Sequence, residues 1–173
     1  NATAVNGACV CVAPYSWSAT NTNCSLNCSL VSNSNNATAV NGACVCVAPY
    51  SWDPVNTNCS LNCSLVSNSN NATAVNGACV CVAPYSWDPV NANCSLNCSL
   101  VSNSDNATAV NGACVCVAPY SWSATNTNCS LNCSLVSNSD NATAVNGACV
   151  CVAPYSWSAT NTNCSLNCSL VSN

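Results

Sequence analysis

Apolar residues along the chain come in short, evenly spaced bursts. Small aliphatic side chains crowd the stretch TAVNGACVCVA, Thr38 to Ala48, a tract of Asn, Ser and Thr follows, and the pattern restarts 35 residues later. Alternation over so few positions is the pattern of a half-buried strand, not of a helix face. Asn41-Gly42 sits between two such runs and is the favoured pair for a two-residue type I′ turn. Residues 37–40 are therefore expected to pair with 43–47. Along the second run, the period of two places Cys44 and Cys46 on one face and Val45 and Val47 on the other. Pro49 has no N–H to donate and ends the strand, leaving Tyr50 and Trp52 to cover a neighbouring disulfide. The rest, SWDPVNTN and VSNSNN, reads as loop.

The repeat is close to perfect. Units 1–35, 36–70, 71–105, 106–140 and 141–173 differ at only a few places: SWSAT alternates with SWDPV, Asn35 and Asn70 become Asp105 and Asp140, and Thr57 becomes Ala92. Ser, Asp, Asn and Pro serve similar turns, so these exchanges read as neutral variation in loops. Nearly identical units specialise none of their number, and what they supply is periodic: length, stiffness or a repeated surface. The expected fold class is small disulfide-rich β repeats, one short hairpin per unit, in a linear rod-like or superhelical array with little or no helix. Connectors of three residues, such as Ser60 to Asn62, join one unit to the next.

Composition narrows the function. The chain has 20 Cys, four acidic residues (Asp53, Asp88, Asp105 and Asp140) and no Lys, Arg, His, Met or Phe. General acid-base and nucleophilic catalysis depend on the side chains that are missing, so no enzyme, catalytic residue or cofactor is expected. Without cations the chain cannot neutralise phosphates, which argues against nucleic acid and anionic membranes as partners. No apolar run approaches a membrane span, and no charged segment followed by an apolar one opens the sequence. The chain starts and stops inside the repeat pattern, as a processed protein or a segment would. Cysteine at this density marks a disulfide scaffold made in an oxidising compartment, so an extracellular location is expected. A 35-residue unit rich in Ala and Val has too little core to stand without covalent help, and four cysteines supply it.

Read across the unit boundary, the spacing is Cys28-x15-Cys44-x-Cys46-x12-Cys59. The motif Cys44-Val45-Cys46-Val47-Ala48-Pro49-Tyr50, followed by eight residues and Cys59, resembles the second half of an EGF-like domain, and it recurs from Cys9, Cys79, Cys114 and Cys149. The unit has four cysteines where that family has six, and the acidic calcium-binding sequence of some members is missing, so no metal site is carried over. The resemblance implies bonds Cys46 to Cys59 and Cys28 to Cys44. Extended along the chain, it implies Cys11–Cys24, Cys63–Cys79, Cys81–Cys94, Cys98–Cys114, Cys116–Cys129, Cys133–Cys149 and Cys151–Cys164, with Cys9 and Cys168 left over. Spacing alone leaves other connectivities open. A second resemblance, to the cysteine-stabilised αβ motif of defensins, would pair Cys24 with Cys44 and Cys28 with Cys46; a nested scheme would pair Cys9 with Cys28 around Cys11 with Cys24. Soft-metal binding by thiolates is a further reading, against which stand the hairpin signal and the aromatic pair.

Each period also carries three Asn-x-Ser/Thr sequons. The NAT asparagines Asn1, Asn36, Asn71, Asn106 and Asn141 lie at the start of the expected hairpin and are the stronger candidates for glycans. Asn23, Asn27, Asn58, Asn62, Asn93, Asn97, Asn128, Asn132, Asn163 and Asn167 are the weaker ones, because the Cys inside each NCS triplet competes for disulfide formation. Covalent glycans would keep a chain of positive mean hydropathy in solution. The sequence thus points to a structural extracellular glycoprotein, a fibre or appendage shaft whose partners are further repeats of the same protein. The rival is a surface antigen or adhesin that presents Tyr15, Trp17 and their equivalents.

Overall fold

A computed structural model describes residues 2–5, 8–18, 20 and 22–171. The chain divides into two compact units, Asn1–Val82 with Trp87–Cys94, and Ala83–Ser86 with Ser95–Asn173. Both are built from the same small β-hairpin module, one per 35 residues. The first unit opens with β1 (Ala2–Val5) and β2 (Ala8–Cys11), followed by the hairpins β3 (Tyr15–Ser18) with β4 (Asn23–Leu26) and β5 (Tyr50–Asp53) with β6 (Asn58–Leu61). The boundary between units passes through the hairpin of β7 (Tyr85–Asp88) and β8 (Asn93–Leu96). The second unit continues with β9 (Tyr120–Ser123) on β10 (Asn128–Leu131) and β11 (Tyr155–Ser158) on β12 (Asn163–Leu166). Among the described residues there is no α-helix. The second Cys-Ser-Leu of each repeat, as at Cys63–Leu65, makes one 3-10 turn capped by the preceding Asn62, whose side chain accepts from Ser64 N. The two-turn helix that a defensin-like motif requires is absent from these positions.

The regular hairpin of every module is built around SWDPVNTN or its equivalent, a tract expected to be loop. In β5 and β6, Tyr50 faces Leu61, Ser51 faces Ser60, Trp52 faces Cys59 and Asp53 faces Asn58. Aromatic residues favour a pleated surface, and their short alternation with serine was masked in the sequence by the Asn- and Pro-rich residues around it. The turn closes through Thr57, whose φ is +52°; Thr22, Ala92, Thr127 and Thr162 repeat the conformation. A side chain there is strained, above all a β-branched one. Thr127→Gly is therefore expected to stabilise its hairpin by about 1 kcal/mol, read as slower amide exchange in β9 and β10; faster exchange would contradict it.

The Asn-Gly turn is present, with φ of +51° at Asn41 and +79° at Gly42. Val40 and Ala43 exchange both backbone hydrogen bonds across it, at 2.8 and 3.1 Å. Beyond that pair the expected ladder between 37–40 and 43–47 does not form in the inner modules. Instead Asn35 N donates to Val45 O at 2.7 Å, Val47 N donates to Asn33 O at 2.8 Å, and Cys28 N donates to Ala37 O at 3.0 Å. Each run pairs with residues of the preceding repeat. In residues 2–11 the same run pairs with itself over its whole length: Ala2 faces Cys11, Thr3 faces Val10, Ala4 faces Cys9 and Val5 faces Ala8.

Cores are small and sulfur-rich. One comprises buried Cys28, Val31, Cys44 and Cys59, against which Leu26, Ala39, Cys46, Tyr50 and Trp52 pack. The equivalents around Cys98 and around Cys133 repeat it. Each draws one part from residues 26–31 and the other from 39–59, or their equivalents, so residues on both sides of position 35 meet in one cluster. The three-residue connector is not slack. Ser60 and Leu61 belong to β6, and Asn62 N donates to Pro49 O at 3.0 Å.

Candidate functional site

The chemistry of the chain resides in its disulfides and its asparagine amides. Bonds spanning 13 residues, Cys11–Cys24, Cys46–Cys59, Cys81–Cys94, Cys116–Cys129 and Cys151–Cys164, alternate with bonds spanning 16, Cys28–Cys44, Cys63–Cys79, Cys98–Cys114 and Cys133–Cys149. Neither the defensin-like nor the nested connectivity occurs. Cα separations of 5.5 to 5.8 Å lie in the usual range for a bridge. Cys44 and Cys46 both turn to the core, while Val45 and Val47 stay about half exposed. The C-V-C strand thereby joins two loops: through Cys44 to the 3-10 turn before it, and through Cys46 to the hairpin after it. Cys9 and Cys168 are exposed thiols.

Asparagine 36 is not a bare surface residue. Half-buried, it accepts from Val45 N at 2.9 Å through Oδ1 and donates to Thr38 O through Nδ2, while Ser34 Oγ donates to the same Oδ1 at 3.2 Å. Its amide acts as an inserted peptide group, holding apart the two runs that would otherwise zip. Asn71, Asn106 and Asn141 make the same contacts. These four NAT asparagines are therefore half-buried, because the amide replaces a missing rung of the ladder. Asn1 lies outside the described residues. Asn27, Asn62, Asn97, Asn132 and Asn167 are half-buried caps of the 3-10 turns. Exposed sequon asparagines are those at the hairpin edge: Asn23, Asn58, Asn93, Asn128 and Asn163. Spacing gave no signal of this order, since it depends on which backbone groups each amide meets.

The hairpin loops explain the Ser/Asp exchanges. Asp53 Oδ1 accepts from Val55 N at 2.9 Å and Asn56 N at 3.3 Å, and its Oδ2 accepts from Asn56 Nδ2 at 2.7 Å. Where serine stands instead, Ser123 Oγ accepts from Asn126 N at 3.3 Å. Both close the turn by local side-chain bonding, aspartate with more bonds. The Asn56 side chain first, then the N–H groups of Asn56 and Val55, hold the Asp53 carboxyl below its ordinary value. A lowered folded-state pKa means that the contribution of Asp53 to stability is complete above the unfolded value, about pH 4. It is lost as pH falls through the folded value. The carboxyl carbon of Asp53 should titrate below that of the denatured chain in NMR, and Asp53→Ser should remove the difference in acid stability; equal midpoints would refute it.

Beside the loops that lead to Cys59, Cys94 and Cys164 run open grooves of 330 to 370 Å³. Pro14, Leu30 and Val31 form one wall of the first groove, and Asn56 to Cys59 form the other. The exposed sequon residue Asn58 lines it, as Asn93 and Asn163 line theirs.

No protein-family model, curated protein or solved structure matches this chain.

Proposed function

We propose that the chain is a structural element of an extracellular fibre glycoprotein, built from truncated EGF-like repeats and without catalytic activity or cofactor. The carrying observation is the make-up of its interior: among the described residues, everything buried is Cys or Val, and no polar or charged residue is buried. Such modules depend on oxidising conditions to fold, and thus on secretion. No helix among the described residues is long and apolar enough to cross a membrane. Tyr50 and Trp52 pack against the core instead of standing free, which favours a scaffold over an adhesin that presents them. Glycans on the exposed hairpin asparagines would shield the apolar surface of the loops, where Val55 is 88% exposed, and a first sugar on Asn58 would rest against Pro14 and Leu30.

Native material tests this directly. Electron micrographs should show long uniform filaments, and enzymatic removal of N-glycans should convert occupied asparagines to aspartate, beginning with the Asn58 series. Dispersed particles bearing no sugar would overturn the reading. Particles that bind a ligand through Tyr and Trp would favour the adhesin.

A further inference from the structure

One polar site of the repeat takes no part in the core, the bridges or the sequons. Asn41 and Gly42 form the tip of the type I′ turn, and Asn76-Gly77, Asn111-Gly112 and Asn146-Gly147 repeat it, every one of these residues exposed. The remaining pair, Asn6-Gly7, lies outside the described residues. Among the described residues neither the Asn41 side chain nor Gly42 N has a hydrogen-bond partner. Space is open as well, for a Cβ at Gly42 would meet nothing within 4 Å.

The carboxamide carbon of an asparagine is within ring-closing reach of the backbone nitrogen of the next residue. Two things guard that carbon: a side chain on the next residue, and a hydrogen bond that holds the next N–H. Asn27 and Asn62 have both guards, since Cys28 N donates to Ala37 O and Cys63 N to Ala72 O, each at 3.0 Å. Asn56 precedes the β-branched Thr57, and elsewhere too the residue after asparagine carries a side chain. The turn removes the first guard by its own requirement, because a φ of +79° at position 42 calls for glycine. Its geometry removes the second by leaving Gly42 N pointed at solvent.

We propose that Asn41, Asn76, Asn111 and Asn146 are sites of spontaneous deamidation, through which the folded chain gains negative charge with age. Gly42 N gives its proton to solvent and bonds to Asn41 Cγ; the Cγ–Nδ2 bond breaks, and ammonia leaves with a proton from solvent, closing a cyclic imide. One water then opens the imide. Entry at Cγ breaks the new bond and leaves aspartate, whereas entry at the backbone carbonyl breaks the original peptide bond and leaves isoaspartate, the chain now running through the former side chain. No oxidant is needed: water is consumed, ammonia is released, and a carboxylate replaces a neutral amide. Conversion of these four turns takes the net charge from −4 to −8.

The fold confines the consequence to the tip. Only the pair of Val40 and Ala43, at 2.8 and 3.1 Å, closes the turn, so the ring can form by opening that pair alone. Behind it Cys44 is bonded to Cys28, and Val45 O and Val47 N are paired with Asn35 and Asn33 of the preceding repeat. Aspartate tolerates the φ of +51° found at position 41. Isoaspartate lengthens the backbone path through the turn and breaks the pair of Val40 and Ala43, and nothing beyond it.

The test incubates the full 173-residue chain, disulfides intact and no glycosidase present, at neutral pH in heavy-oxygen water. Mapping of chymotryptic peptides by mass spectrometry should show conversion at the Asn-Gly sites at least about tenfold faster than at Asn36, Asn56 or Asn58, a difference of about 1.4 kcal/mol in barrier. The new carboxyl should carry heavy oxygen, and isoaspartate should be among the products. Amide exchange in the aged chain should quicken at Val40 and Ala43 and stay unchanged at Asn35 and Val47. Asn41→Gly, which keeps a type I′ turn, should remove one site and leave the others converting. Conversion at Asn41 no faster than at Asn58, or conversion only after reduction and denaturation, would overturn the proposal, and lost protection at Asn35 would overturn the confinement. Because no glycan is removed, either result leaves the filament micrographs untouched.

Discussion

Replacing Cys28 and Cys44 together with alanine is expected to unfold their module while the other modules stay folded. The bond spans 16 residues, and a loop of that length is worth about 3 kcal/mol through restriction of the unfolded chain. Cys28 and Cys44 are also two of the four buried residues of the core. Cores this small have no reserve. Hydrogen exchange should show the amides of positions 28, 35 and 47 losing protection, since the closed loop keeps their partners Ala37, Val45 and Asn33 within reach. Equivalent amides around Cys133, in the second unit, should keep theirs. Unchanged protection at Asn35 would mean that hydrogen bonding, not the bridge, holds the module.

The second large effect should come from Asn36. Substitution by alanine takes from Val45 N and Thr38 O the amide that joins them, at a cost of about 0.5–1.5 kcal/mol per hydrogen bond exchanged for water. Aspartate is the sharper probe. Its carboxylate still accepts from Val45 N, but it has no proton to give Thr38 O and sets negative charge against that carbonyl. Asn36→Asp should therefore destabilise near neutral pH and recover part of the loss below about pH 4, where the carboxyl regains a donor. Asn58→Asp, at an exposed edge, should change stability little. Denaturant unfolding of both variants at two pH values decides it: an equal loss from Asn36→Asp and Asn58→Asp would show that the inserted amide carries no load.

Asn36 and Asn58 differ in a way that no local sequence pattern carries. Asn36 and Asn58 look alike as sequons, and the NAT site is the more attractive of the two in sequence. The order of exposure reverses because only the three-dimensional path of 33–38 past Val45 brings a backbone N–H and a backbone C=O to the Asn36 amide. Tyr50 to Asp53 likewise was hidden: four residues of strand are too few for periodicity to rise above the polar residues beside them. Their pairing depends on Cys59 being brought opposite Trp52.

By itself the sequence determined what is local or countable. The 35-residue period, the dependence on cystine in place of a large core, the type I′ turn at Asn41-Gly42 and the facing of Cys44 and Cys46 away from Val45 and Val47 all follow from composition, dipeptide chemistry and the two-residue period of a strand. Partner choice belonged to the tertiary structure. One run, ATAVNGACVC, makes a full ladder at the N-terminus and keeps only the pair next to its turn in the inner modules. The residues are the same in both places. A strand presents its N–H and C=O groups to whichever backbone reaches them, and in the inner modules the bond to Cys44 holds the previous repeat within reach.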